Sequence, residues 1–500
     1  MILAAMACSL GAFAANTNRS CLVCHGQQFF DAEAFSKSVH AKLDCADCHR
    51  GYDFSMHRAK PPEFSPKEKE LIDSIGNRSS VPAAFAACGK CHESQRDDLL
   101  GSVHNNPKGP LCKDCHGSPH AITKVASQNE RKQAFAARCL GCHERGKGEE
   151  YRDSVHGRLI ALGSDKAPSC FNCHGSHEIQ PVSSPDSNVN EKNKVATCAE
   201  CHKGATVNFA ATFTHVPATR ITRPIPGYTV IFFSWLTSLV LTGLVLHVSL
   251  DFGAEARQRW RRRKKGAAAE EHAPEARTVV RFDKHQLVQH WVMIASCVLL
   301  VFTGWPLHGA HLTASKPLIS AFGGVASGAL IHRIAGVLMG ISALYHLAYL
   351  TVLAIRNQPF LSMLPGPKDL KDLWGNIRYF FDKTQERPKF GRFMYAEKFD
   401  YWAVFWGVAI MFGTGLVRWF PVWFAKWMPA SIIESCQIAH GDEATLAALA
   451  LFVWHLYNVH LRPSVFPMSW VWIDGKIDVH TMKEEHGAEY EELQRKGKLP

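Results

Sequence analysis

The sequence predicts a mostly α-helical protein in two parts, a loop-rich N-terminal region followed by a bundle of transmembrane helices. Two observations lead to this prediction. The first 202 residues contain seven copies of Cys-x-x-Cys-His but few long apolar runs. From residue 228 onward, five apolar stretches are long enough to span a bilayer. A 500-residue chain with this change of composition is expected to form two or three domains.

The Cys-x-x-Cys-His runs account for 14 of the 17 cysteines. This run is the attachment signature of c-type haem, in which both thiols bind the porphyrin and the histidine ligates the iron. A disulfide needs no histidine, and a zinc site rarely has one directly after Cys-x-x-Cys. We therefore predict seven covalent haems c, attached through Cys21, Cys24, Cys45, Cys48, Cys88, Cys91, Cys112, Cys115, Cys139, Cys142, Cys170, Cys173, Cys198 and Cys201.

The histidines of the N-terminal region predict two axial ligands for every haem. The tripeptide Ser-Val-His occurs at 38–40, 102–104 and 154–156, each time between two runs, which indicates an array of two-haem repeats. The seven proximal ligands are His25, His49, His92, His116, His143, His174 and His202. Seven other histidines precede residue 224, which equals the number of distal ligands that seven haems require: His40, His57, His104, His120, His156, His177 and His215. Bis-histidine iron has no open position, so these haems are expected to transfer electrons and not to bind a substrate. The sequence leaves open which distal histidine serves which haem.

The N-terminal region is expected to be exported, because c-type haem is attached outside the bacterial cytoplasmic membrane. Residues 1–15 resemble a signal peptide that ends in a small-residue site, and residues 16–215 would form the periplasmic seven-haem domain. Residues 216–227 form a linker. The net charge of +11 does not predict nucleic-acid binding, since many of the basic residues lie in RQRWRRRKK at 257–265, next to a span. Such clusters mark the cytoplasmic side of a membrane.

The C-terminal region is predicted to contain a first transmembrane helix at 228–250, a basic cytoplasmic loop at 251–284, and a four-helix domain at 285–461. The four spans of that domain are placed at 285–307, 329–355, 400–421 and 438–461, and the tail from 462 to 500 is cytoplasmic. An internal repeat supports the bundle, because HWVMIASCVLLVFTG at 290–304 resembles YWAVFWGVAIMFGTG at 401–415. Two helical hairpins would then form a pseudo-symmetric bundle, a usual place for a buried cofactor.

Histidines inside the spans predict two haems b at different depths. His332 and His346 share one span and lie about 21 Å apart along its axis, and His440 and His455 share the last span at a similar interval. His332 and His440 lie near the outer ends and would form one site. For the inner site, depth favours His290 with His455, whereas the internal symmetry favours His346 with His455. Packed polar histidines are the alternative interpretation.

The stretch RFDKHQLVQHWVMIASCVLLVFTGWP (281–306) resembles the first helix of the cytochrome b subunits of formate dehydrogenases and nickel–iron hydrogenases. LIHRIAGV (330–337) and AHGDEATLAALALFVWHLYNVH (439–460) resemble the same family. The resemblance implies a cytochrome b-like bundle in which His290, His332, His440 and His455 ligate two haems b and quinone reacts near the inner haem. His346 is an additional histidine, and HQLVQH replaces the family's usual arginine. The whole chain resembles fused inner-membrane cytochromes that link menaquinol to periplasmic carriers in metal-respiring bacteria.

These features predict an inner-membrane quinol:cytochrome c-type oxidoreductase. Its partners would be the membrane quinone pool and periplasmic c-type cytochromes or a periplasmic oxidoreductase, with no nucleic acid involved. Quinol oxidation needs an ionisable group near the inner haem, and the candidates are Glu397, Tyr401 and His346. Flow in the reverse direction and a relay subunit of a larger membrane complex are the alternatives. The sequence does not set the direction, because haem potentials depend on burial and hydrogen bonding.

Overall fold

The structure is a computed structural model that describes residues 31–48, 88–106, 108–144, 148–264, 277–356, 361–381 and 386–499. The chain divides into two compact units, 1–210 and 211–500. The predicted signal peptide and the predicted ligands Cys21, Cys24, His25, His49 and His57 lie outside the described residues.

The first unit consists of short helices joined by loops, as predicted for this region. The longest helix has 16 residues, Gln128–His143, and ends in a Cys-x-x-Cys-His run. A small apolar cluster of Ala136, Ile160 and Ala167 packs beside it. The other helices are Ala32–Ser36, Cys45–Cys48, Glu93–Leu100, Cys112–His116, Glu149–Asp153, Val155–Ala161, Cys170–His174, Lys194–Ala199 and Val207–Ala211.

Two of the Cys-x-x-Cys-His runs form single helical turns with the same local design. In Cys112–His116 the Asp114 carboxylate accepts the Leu111 N–H at 2.9 Å, and Gly117 ends the turn with φ 83°. In Cys170–His174 the Asn172 side chain accepts the Ser169 N–H at 2.8 Å, and Gly175 follows with φ 79°. A glycine is required at each end, because this positive φ is costly for a residue with a Cβ atom. The helical turn therefore ends directly after His116 and His174.

The second unit contains five helices that are long and apolar enough to cross a membrane, which confirms the predicted number of spans. The first to fifth spans are Pro224–Lys264, Lys284–His308, Gly324–Ile355, Tyr395–Trp419 and Ala430–Leu461. The second span packs on the third and the fourth on the fifth, which are the two hairpins of the internal repeat. The first span packs on the fifth, where Leu244 and Trp454 share a buried cluster. The fifth span is α-helical to Ala450 and contains π-helical segments at Leu451–His455 and Tyr457–Leu461.

The segments around the spans add short elements and buried ion pairs. Strands β1 (Thr278–Val280) and β2 (Lys476–Asp478) pair antiparallel, with Val279 opposite Ile477. Arg462, directly after the fifth span, is ion-paired with Asp251 at 3.2 Å and Glu255 at 2.7 Å at the end of the first span. The remaining elements are helices Ser315–Ala321, Pro367–Phe381, Pro421–Phe424, Val471–Asp474, Val479–Glu485 and Gly487–Arg495, and a 3₁₀ turn at Leu361–Met363.

Candidate functional site

Histidine rings in both units lie in pairs whose spacing can be compared with a bis-imidazole iron site. Metal–imidazole nitrogen bonds are about 2.0 Å long, and a ring nitrogen lies about 1.1 Å from its ring centre for bonds near 1.33 Å. Two rings on opposite sides of one iron therefore have centroids about 6.2 Å apart. Among the residues that the structure describes, six histidine pairs fall between 6.0 and 6.4 Å.

Four of these pairs lie in the first unit, and each joins a Cys-x-x-Cys-His histidine to one of the additional histidines. The distances are 6.4 Å for His40–His92, 6.3 Å for His104–His143, 6.0 Å for His116–His177 and 6.2 Å for His156–His202. Eight predicted ligands are thus brought together two by two, with a spacing that fits a haem iron between them. Of the other described ligands, His120 lies against Phe35 and His215 against Phe213, and His174 ends its own one-turn helix.

Three of the paired rings have a protonation state or an orientation that suits a metal ligand. Burial, and then the neighbouring His202, lower the pKa of His156 to about 4. Burial, and then His143, also lower the pKa of His104. Both rings are therefore neutral near pH 7, the form that binds metal. In His40 the Nδ1–H donates to the Pro119 carbonyl at 3.0 Å, which leaves Nε2 as the free lone pair.

The attachment cysteines of successive runs lie close together. The thiols of Cys88 and Cys112 are neighbours, since Cys112 raises the pKa of Cys88, and Cys139 raises the pKa of Cys170 in the same way. The helices Cys112–His116 and Cys170–His174 both pack against Gln128–His143. Four attachment runs between residues 88 and 174 thus form a continuous series.

In the second unit, the His332 and His440 rings have centroids 6.4 Å apart, and matching threonines hold them. Thr303 Oγ1 lies 2.9 Å from Nδ1 of His332, and Thr414 Oγ1 lies 3.0 Å from Nδ1 of His440. Each threonine already donates its own proton to the carbonyl four residues earlier, at 2.6 and 2.7 Å. Each hydroxyl must therefore accept the N–H of the histidine, which fixes the tautomer and leaves Nε2 of both rings free to bind metal.

A glycine follows each of these threonines and makes room for the ring. A Cβ atom on Gly304 would lie 3.0 Å from Cε1 of His332, and one on Gly415 would lie 3.3 Å from Cε1 of His440. The Thr-Gly dipeptides at 303–304 and 414–415 occupy equivalent places in the internal repeat. Sequence reasoning recognised the repeat but not this role, although the repeated dipeptide was the available signal.

The other membrane pair is His290 and His455, whose ring centroids are 6.3 Å apart. Nδ1 of His455 lies 2.5 Å from a carboxylate oxygen of Asp400, so this ring is oriented by an acid and not by a hydroxyl. His346 has both ring nitrogens engaged, Nδ1 with Gln289 at 2.7 Å and Nε2 with Tyr401 at 2.8 Å. Of the two partners that the sequence left open for His455, the structure brings His290 to it.

Two of the predicted proton-exchange residues, His346 and Tyr401, are hydrogen-bonded to each other close to this second pair. Gln289 precedes His290 in the chain and Tyr401 follows Asp400, so the His346 hydrogen bonds lie next to the His290–His455 pair on both helices. Gln289 Nε2 is buried without a hydrogen-bond partner in the described structure. Glu397 forms an ion pair with Arg281 at 3.1 Å and accepts the Met394 N–H at 2.8 Å, while its side chain stays 37% exposed.

One further acidic side chain of the bundle was missed in the sequence. Glu443, one turn after His440, is only 8% exposed, and its carboxylate lies 3.2 Å from the place that a Cβ atom on Gly407 would take. An ionisable residue within an apolar span was the signal that could have identified it.

Comparison with known families agrees with this geometry. Residues 281–466 match the family model described as prokaryotic cytochrome b561. The matched segment contains the second to fifth spans and both histidine pairs of the second unit. The family binds b-type haem and transfers electrons in membranes, so this segment is similar to a membrane electron-transfer domain. No curated protein matches the chain.

Proposed function

We propose that this protein is a quinol:cytochrome c-type oxidoreductase that takes electrons from the membrane quinone pool. It would pass them through two haems b and seven haems c to a periplasmic cytochrome or oxidoreductase. The observation that best supports the proposal is the set of six histidine pairs at 6.0–6.4 Å, because bis-imidazole iron needs this spacing. When bound, the haems supply reversible one-electron transfer and no open coordination position.

The quinol would bind near the His290–His455 pair, beside the hydrogen-bonded residues His346 and Tyr401. Because the Gln289 oxygen only accepts, Nδ1 of neutral His346 carries the proton and Nε2 accepts from the Tyr401 hydroxyl. Tyr401 would take a proton from the quinol hydroxyl as it passes its own to Nε2 of His346. The unpartnered N–H of Gln289 is available to hydrogen-bond a quinone oxygen. Glu397, one turn before Tyr401 and partly exposed, would release protons to water.

The ligand environments favour electron flow from the His290–His455 pair to the His332–His440 pair. Asp400 bonds to His455 and makes it a stronger electron donor to a bound iron, which stabilises the oxidised state. Thr303 and Thr414 bond to the other pair through neutral hydroxyls, which have a weaker effect. The site beside the quinol candidates would thus have the lower potential, so electron transfer from it to the His332–His440 pair would be downhill, as outward flow requires.

The test is reduction of the purified, oxidised full-length protein by a menaquinol analogue. We expect both b and c haem absorption bands to become reduced without any other subunit. Tyr401→Phe should slow reduction by quinol at least tenfold, while chemical reduction by dithionite stays unchanged. Tyr345→Phe is the matched control, because it removes a phenol hydroxyl that hydrogen-bonds to His285 at 2.7 Å.

Two outcomes would replace the proposal. If quinol reduces no haem unless another subunit is added, the protein is a relay of a larger membrane complex. If the b haems have potentials well below menaquinone and the c haems lie lower still, the favoured direction is from a periplasmic donor to quinone.

A further inference from the structure

The histidine pairs of the first unit do not follow the repeats of the sequence. Each full repeat contains a first run, a Ser-Val-His tripeptide, a second run and one more histidine. Repeat 1 spans 21–57, repeat 2 spans 88–120, repeat 3 spans 139–177, and a half-repeat spans 198–215. Proximity along the chain would pair a distal histidine with a run of its own repeat, since His104 is only 12 residues after His92 and His120 is four after His116.

In the structure, the Ser-Val-His histidine of each repeat instead faces the first run of the following repeat. His40 of repeat 1 faces His92 of repeat 2, at 6.4 Å. His104 of repeat 2 faces His143 of repeat 3, at 6.3 Å. The third copy has the same relation, because His156 faces His202 of the half-repeat at 6.2 Å.

A second type of pair runs in the opposite direction along the chain. His116 in the second run of repeat 2 faces His177, the last histidine of repeat 3, at 6.0 Å with the rings nearly parallel. Repeats 2 and 3 therefore exchange histidines, because repeat 2 contributes His104 to repeat 3 and receives His177 from it.

Backbone hydrogen bonds join the same neighbouring repeats, independently of the histidine rings. Val39 N–H donates to the Ile122 carbonyl at 2.7 Å, and Val103 N–H donates to the Ile179 carbonyl at 2.9 Å. Ile122 and Ile179 each lie two residues after the last histidine of their repeats. Ser38 and Ser102 complete the match, since each hydroxyl accepts the N–H of the histidine two residues later, at 3.2 and 3.3 Å. The boundary between repeats 1 and 2 and the boundary between repeats 2 and 3 are thus formed by the same backbone and serine hydrogen bonds.

We infer that the haems at these four pairs are completed across repeat boundaries, each taking its distal histidine from a neighbouring repeat. This inference rests on the proposed function only in requiring that the runs carry haem. It makes the repeats structurally interdependent, because a repeat removed from the chain would leave haems in its neighbours with one axial ligand. The iron ligands themselves would then fix the relative positions of successive haems along the electron path.

The test uses the covalent attachment of each haem to its own peptide. In the full-length, membrane-extracted protein, His104→Ala opens a coordination position on one haem, which hydrogen peroxide then destroys selectively. After digestion, mass spectrometry measures the seven haem peptides. We expect loss of the peptide containing CLGCH (139–143) in His104→Ala, and of the peptide containing CKDCH (112–116) in His177→Ala. His311→Ala, outside all six pairs, should retain all seven.

Loss of the CGKCH peptide (88–92) in His104→Ala, or of the CFNCH peptide (170–174) in His177→Ala, would show ligation within a repeat and overturn the inference. If His104→Ala does not accumulate, His104→Met supplies a replacement ligand, and one haem should shift to a higher potential. An unchanged set of potentials would show that His104 is not a ligand. Haem peptides missing from the wild type would refute the proposed function itself, so the two failures are distinguishable.

Discussion

The close contact between Gly304 and His332 gives the sharpest quantitative prediction. In Gly304→Ala the new Cβ atom would lie 3.0 Å from Cε1 of His332. Ordinary carbon–carbon contacts are about 3.5–4.0 Å, so the ring must move by about 0.5 Å or more. Because Thr303 holds the same ring at 2.9 Å, the shift stretches this hydrogen bond beyond the normal range.

The expected cost follows from these two effects. A weakened hydrogen bond costs about 1 kcal/mol, and overpacking costs about 1–3 kcal/mol. Taking about 2 kcal/mol as the total, haem affinity at the His332–His440 pair should fall about 30-fold. Gly415→Ala places its Cβ atom 3.3 Å from Cε1 of His440, so its effect should be several-fold smaller. Alanine also favours the helix by about 1 kcal/mol over glycine, so general unfolding is not the expected result.

The assay is haem b retention in detergent, measured as transfer of non-covalent haem to excess apomyoglobin. Gly304→Ala should lose one haem b much faster than the wild type and keep the other. Gly413→Ala is the control on the same helix as Gly415, since nothing lies within 4 Å of its added Cβ atom. Wild-type retention in Gly304→Ala, or equal loss in Gly413→Ala, would refute the assignment of this pair as a haem site.

Three further predictions concern other parts of the second unit. Asp400→Asn should raise the potential of one haem b by about 60 mV, which is about a tenfold change in the one-electron equilibrium. Redox titration measures the shift, with the exposed tail carboxylate Glu492→Gln as control. No shift would mean that Asp400 does not act on His455. Burial, and then Arg281, lower the pKa of His486 to about 4. The folded protein therefore favours the neutral ring, and this stabilisation is complete above about pH 6.5. The free energy of unfolding should fall by about 2 kcal/mol as the pH falls to 5. Limited proteolysis of the tail should therefore accelerate at pH 5 in the wild type and lose this dependence in His486→Asn; a tail equally resistant at both pH values would contradict it. Arg462→Ala leaves Asp251 and Glu255 with fewer partners and should lower the free energy of unfolding by about 3 kcal/mol, measured as a lower Tm. The control Arg495→Ala, at an exposed residue, should leave the Tm unchanged.

The sequence predicted the parts of this protein that depend on local pattern. The five spans follow from apolar length. The one-turn helices at 112–116 and 170–174 were not predicted, although the glycine directly after each run was the available signal. The pairing of His40 with His92, 52 residues away, depends on how loops pack, and no local periodicity encodes it.

The choice between His290 and His346 had a different limit. Depth favoured His290 and internal symmetry favoured His346, because both residues lie close enough in depth to His455 to be its partner. The structure separates them through neighbours that the sequence did not rank: Gln289 and Tyr401 bond to His346, and Asp400 bonds to His455. Such contacts between helices depend on the rotation of each helix, which hydropathy alone does not determine.

We propose that paired imidazoles hold every iron of this protein. Low-temperature EPR of the oxidised, full-length protein, combined with near-infrared magnetic circular dichroism, measures it directly because both report axial ligands. We expect about nine low-spin haems, all with bis-histidine signatures, and a c to b ratio of about 7:2 in the absorption spectrum of the reduced protein. Mostly high-spin iron, or a preparation that contains zinc and no porphyrin, would contradict it.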